Sequence, residues 1–307
     1  MNTHSNAMPE LPLGSQAPAV FSATRLMYWS LRRELWENRS IYFAPLAAAA
    51  LFLFGFMVSM IHLPAKVRAA ALDPALQYDL FEHSFMLAAL LIMGTTFIVA
   101  VFYSLDALHG ERRDRSILFW KSLPVSDLTT VLSKASIPIF ILPLITFAIT
   151  VALWIMMWLL SSAVMLGSGL SMPMGPLHFS LFQMSLGLLF HLLGIHGLWY
   201  APIYGWLILV SGWARRAALL WATVPLLAIG VVERIAFSTS HFANMLAYRF
   251  SGGGEPTGSR ATSIEALLMP NQTVGQFLVN PGLWTGFALT ALFLALAIRV
   301  RRSRGPI

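Results

Sequence analysis

Residues 84–105 read SFMLAALLIMGTTFIVAVFYSL, and residues 106–127 behind them read DALHGERRDRSILFWKSLPVSD. The first stretch carries no charge. At about 1.5 Å rise per residue, a helix of this length crosses a hydrocarbon core of about 30 Å. The second stretch turns abruptly to dense charge. That change marks a membrane span and its boundary. Five further apolar blocks match the first in kind, at 41–61, 137–160, 186–210, 217–237 and 283–298. Together they predict an all-α membrane protein of six transmembrane helices. Composition agrees: 57% of the 307 residues are hydrophobic and 11% charged, against about 25% charged in a soluble domain.

The basic residues orient the spans. Seventeen Arg and three Lys (Lys66, Lys121, Lys134) stand against 13 acidic residues, for a net charge of +7. The Arg residues flank apolar blocks instead of forming one soluble basic face, so the partner they imply is the lipid membrane and not nucleic acid. With both termini inside, the inside segments hold 15 Lys plus Arg and the outside loops hold five. The positive-inside rule then puts both termini in the cytoplasm. Arg dominance over Lys points to a GC-rich bacterial genome, hence to the inner membrane. No Cys is present, which excludes disulfides and thiolate ligands. Residues 1–20 contain three prolines and neither Lys nor Arg; they read as a disordered tail rather than a leader. Residues 299–307 read as a basic cytoplasmic tail. On the outside, SGGGEPTGSR (251–260) is a flexible stretch, and 263–279 suits a short helix or a re-entrant segment.

Two inside segments carry more than topology. Residues 21–40 read as an amphipathic helix with Trp29 and Trp36 seven apart and Arg25, Arg32, Arg33, Glu34 and Glu37 at polar positions. Trp and Arg on such a helix suit the headgroup boundary. Two readings are open, a juxtamembrane anchor and an interfacial helix that also touches a partner protein. In the loop 106–136, Glu111-Arg112-Arg113-Asp114-Arg115 precedes the apolar run Ile117-Leu118-Phe119-Trp120. Pro124 breaks any helix there, and Ser126 or Asp127 can cap the next one. Phe119 and Trp120 are costly in water, so they predict contact with lipid or protein.

The stretch LDALHGERRDRSILFWKSLPVSD (105–127), with Ser133-Lys134 after it, resembles the first cytoplasmic loop of ABC-2 type transporter permeases, the membrane subunits of ATP-driven exporters. The layout agrees: six spans, an amphipathic arm before the first, and a large outside loop before the last. The resemblance implies that the loop is a coupling helix seated in a cleft of a separate ATPase, with Glu111, Arg112, Arg113, Asp114, Arg115, Phe119 and Trp120 facing it. The arm would be a connecting helix nearby. It further implies two ATPase copies and a second permease chain, as a homodimer. The chain itself would bind no cofactor, and ATP and Mg would sit on the partner.

Motif absences sharpen this. No G-x-x-x-x-G-K-[ST] occurs, so the chain has no phosphate-binding loop of that type. An intramembrane enzyme is the rival class, and a membrane scaffold or sensor a third. An enzyme needs ionisable groups inside the spans, yet neither H-E-x-x-H nor G-x-S-x-G is present. His191 and His196 lie near mid-depth of the fourth block. Five residues of α-helix turn about 500°, which sets them about 140° apart and argues against a shared metal from that helix alone. They bond to neighbouring helices or line a pathway. Asp79 and His83, four apart, could clip a metal, but no metal site is assigned. Apolar, aromatic spans without a buried acid cluster suit an amphiphilic cargo such as a lipid, peptide or drug-like molecule.

Overall fold

The computed structural model describes residues 22–69, 74–122, 125–169, 174–252 and 274–304. It is all-helical among these residues, and six of its helices are long and apolar enough to cross a membrane. The arm forms α1 (Ala23–Glu37). After a break at Asn38, α2 (Ser40–Met60) makes the first span. A short α3 (Leu63–Ala69) leads on to α4 (Pro74–Asp106), whose later part is the expected second span. The loop behind it holds α5 (His109–Arg113), α6 (Ile117–Ser122) and α7 (Asp127–Ser136).

The third span starts from α7 through a π-helical turn (Ile137–Ile141) and runs as α8 (Leu142–Gly167). Pro138 and Pro143 lie at this junction. Neither can donate a backbone hydrogen bond, so the ladder widens: the Leu142 N–H reaches back five residues to the Ile137 carbonyl.

The fourth block departs most from its expected form. Instead of one span over 186–210, the chain runs as α9 (Met174–Phe190), a nine-residue π segment (His191–Trp199), a break at Tyr200 and α10 (Ala201–Trp213). The cause is Pro202, whose ring crowds the preceding turn and whose missing N–H frees a carbonyl there. The remaining elements are α11 (Ala218–Phe237), α12 (His241–Phe250), α13 (Val274–Val279) and α14 (Pro281–Ser303). The expected tail 1–20 and most of 251–273 lie outside the described residues, and of 263–279 only the short helix α13 is described.

The two largest apolar clusters hold the bundle. One joins α2, α3, α4, α8 and the α9 region through Phe56, Phe85, Ile92, Trp154 and Met157. The other lies toward the end carrying both described chain ends, where Ile41, Tyr103, Val131, Leu142, Tyr204 and Ala297 meet. Leu31 and Leu35 of α1 pack on this second cluster. The arm therefore lies across the ends of the spans and does not hang free.

Candidate functional site

The loop after α4 folds against the bundle end. Short α5 stops at Asp114, and Arg115 takes a left-handed conformation (φ 58°) that reverses the chain into α6. Most L-residues avoid this region, so the turn is held by what surrounds it. Ser126 caps α7 by accepting from the Thr129 N–H at 3.1 Å, as its position predicts. Leu123 and Pro124 lie outside the described residues.

Beneath this loop sits a buried set of charges drawn from four parts of the chain. Lys134 of α7 is 3% exposed and Glu34 of α1 is 1% exposed. Lys134 Nζ donates to Glu34 Oε1 at 2.8 Å and lies 3.2 Å from Glu111 Oε1. Arg33 Nη2 bridges the same two carboxylates, at 2.9 and 3.0 Å. Arg301, from the last helix, donates to Glu111 Oε2 at 3.2 Å and pairs with Asp127. Tyr103, at the end of α4, donates to Glu34 Oε2 at 2.8 Å.

Three acids (Glu34, Glu111, Asp127) thus face three bases (Arg33, Lys134, Arg301). Buried charges persist only when paired and hydrogen-bonded, and each of these is. Burial alone would raise the Glu111 pKa, but Lys134, Arg301 and Arg33 overcome it and hold the carboxyl below its ordinary value. Burial would likewise lower Lys134, and Glu34 and Glu111 reverse that. Glu111 and Lys134 therefore face each other as ions at neutral pH.

The seven loop residues expected on one docking face do not share it. Glu111 and Arg112 are buried. Glu111 is the hub just described, and Arg112 Nη1 donates to the Gly212 carbonyl at 2.7 Å, tying the loop to the end of α10. Both are turned inward because the bundle end offers them partners of opposite charge or free carbonyls. Arg113, Asp114 and Arg115 are exposed, with Arg113 paired to Asp114 at 3.1 Å. Leu118 and Phe119 are 60% and 59% exposed. Trp120 is half-buried beneath the guanidinium of Arg33, 3.7 Å from its ring centroid, and meets Phe119 edge-on. The outward face is thus Leu118 and Phe119 on α6, flanked by Arg113, Asp114 and Arg115.

In the arm, Trp29, Arg32 and Trp36 are exposed, whereas Arg33 turns inward to the network. His191 and His196 also differ from expectation. They do not diverge: their ring centroids are 5.4 Å apart. The π segment bonds five residues apart, as the Tyr200 N–H to the Ile195 carbonyl attests, so residues i and i+5 stack on one face. Phe97 and Tyr200 pack on His196. Among the described residues no group of three or more His, Cys, Asp or Glu could hold a metal ion; the Asp79 side chain lies outside them.

Glu34, Tyr103, Asp127, Lys134 and Arg301 are site residues that the sequence did not single out together. In sequence, Lys134 and Arg301 read as positive-inside charges and Glu34 as a polar position of the arm. One signal was available: an acid on the arm's otherwise apolar inner stripe, between Leu31 and Leu35, demands a buried cation. No protein-family model, no curated protein and no solved structure matches the chain.

Proposed function

We propose that this chain is the membrane-spanning permease subunit of an ATP-driven transporter of the ABC-2 type, exporting an amphiphilic cargo across a bacterial inner membrane. Both termini are cytoplasmic in this reading. Two copies of a separate P-loop ATPase supply the energy, with ATP and Mg bound there, and a second copy of this chain completes the pathway. The six apolar helices and the loop sequence 105–127 support it.

The observation that carries it is the mounting of α6. Leu118 and Phe119 project from a helix that cannot move alone. Trp120 is clamped by Arg33, Arg112 is bonded to α10, and Glu111 is tied to α1, α7 and the last helix. An apolar knob fixed in this way converts a push from a partner into a rigid displacement of the span ends. A solvated loop would need no such mounting.

The test is co-purification from native membranes in mild detergent. Leu118→Asp with Phe119→Asp should abolish association with a P-loop ATPase while leaving insertion and melting unchanged. Trp120 is left intact because its loss would also release the arm. Retention of the ATPase by the double variant would refute the knob, and a folded wild-type chain that brings down no ATPase would refute the transporter reading itself.

A further inference from the structure

The outer stripe of α1 is unlike any other exposed helix face here. Its exposed positions are Arg25, Tyr28, Trp29, Arg32 and Trp36, followed by Arg39 in the connection to α2. The spacing is that of one helical face. Arg32 lies over both indoles, its guanidinium carbon 5.3 Å from the Trp29 centroid and 5.1 Å from that of Trp36. No acid lies on the stripe. The nearest, Glu37, is paired with Arg33 at 3.4 Å.

The depth of the stripe is set by the opposite face. Glu34 meets Tyr103 and Lys134, three residues from the end of α4 and three before the third span's π turn. Leu31 and Leu35 pack on the cluster that joins the span ends. The first span begins at Ser40, directly after Arg39. The arm therefore lies at the level where apolar helix gives way to charge, which is the headgroup layer. Indoles favour that layer, and arginines reach phosphates from it.

We infer that this stripe binds anionic phospholipid, the Trp29–Arg32–Trp36 stack holding a phosphate headgroup with Arg25 and Arg39 beside it. Charge complementarity selects the anionic lipid: among the described residues Arg25, Arg32 and Arg39 face outward without an ion pair, and the one exposed acid of the arm, Glu37, is taken up by Arg33. Zwitterionic headgroups supply no net attraction for them. The inference requires only that the chain sits in a bilayer, and it stands or falls independently of any ATPase.

The test uses the isolated chain in nanodiscs of phosphatidylcholine alone and of phosphatidylcholine with phosphatidylglycerol. Lipid retained through detergent extraction is identified by mass spectrometry. Phosphatidylglycerol should be enriched, and each arginine near an anionic surface is worth about a fivefold change in partition. Arg25→Gln, Arg32→Gln and Arg39→Gln together should abolish the enrichment without moving the melting temperature. Arg215→Gln with Arg216→Gln, on another loop, should leave it intact. Salt titration of the wild type needs no variant, and enrichment should fall as ionic strength rises.

The chain has no Cys, so Thr24→Cys takes a single spin label beside the stripe. The label should be shielded from a water-soluble relaxation agent in the anionic nanodisc. Equal retention of both lipids, enrichment that survives the triple variant, or a label fully open to water would each overturn the inference. The last of these would mark the stripe as a protein-docking face.

Discussion

Lys134 is where single residues matter most. It stands between two carboxylates that are themselves almost wholly buried. Lys134→Met would leave Arg33 as the one cation still shared by Glu34 and Glu111, and would strip the most deeply buried countercharge from both. Breaking a buried pair from one side costs about 3–5 kcal/mol, and thermal unfolding in detergent should register it. The pH dependence follows from the two shifts. Glu111 lies below its ordinary 4.5, so its contribution is complete above that pH and is lost as pH falls through the lower folded value. Lys134 lies above its ordinary 10.5; its contribution is complete below that pH and fades only as pH rises past the folded value. Melting temperature should hold a plateau between these limits and drop on the acid side. Glu111→Gln should start lower and show a flatter acid limb; an acid limb identical to wild type would remove Glu111 as its source. Little of this was legible in sequence. Ser126 was, because a cap acts on its own neighbours. The ion pairs were not, because residues 34, 111, 134 and 301 meet only in three dimensions, and charge counting treats them as topology signals.

At the scale of elements, the spans were readable because a long uncharged apolar run has few other homes. Their internal register was not. Pro138, Pro143 and Pro202 stand at the breaks, and their product is a pair of π segments that set which side chains meet. His191 and His196 share a face only for that reason. The two segments also touch. A Cβ placed on Gly197 would lie 2.4 Å from the Ile139 carbonyl oxygen, an atom of the first π segment whose α-helical donor would have been Pro143. Backbone cannot swing aside as a side chain can, so Gly197→Ala should separate the third and fourth spans. Overpacking of this kind costs about 1–3 kcal/mol. Gly194→Ala is the matched control, since its nearest neighbours are Phe277 ring carbons at 3.6 Å, an ordinary contact. Melting temperature should fall for the first variant and stay close to wild type for the second. Equal responses would mean that the close approach contributes nothing.

At the scale of the whole molecule, the two described ends of the chain close on one another through the loop between them. Glu111 accepts from Arg33, near the beginning, and from Arg301, near the end. Lys121 Nζ donates to the Arg304 carbonyl at 3.3 Å, and Arg304 Nη1 to that of Trp213 at 3.0 Å. Read as sequence, 299–307 is only a basic tail; folded, its first turns complete the ring around Glu111. Ending the chain at Val300 keeps Arg299 for topology but removes one of the three cations on Glu111 and both cations beside Asp127, Arg301 and Arg302. Charged hydrogen bonds contribute about 1.5–3 kcal/mol each, so local opening of the loop should become at least about tenfold more frequent. Hydrogen exchange followed by mass spectrometry should then find faster exchange in Ala23–Glu37, His109–Arg113 and Ile117–Ser122 together. His241–Phe250, braced by Arg249 against the Trp199 and Gly282 carbonyls, should be unchanged. Faster exchange confined to the loop, with the arm unmoved, would mean that arm and tail are separate attachments. Joint loosening would mean that the arm, the loop and the last span move as one body.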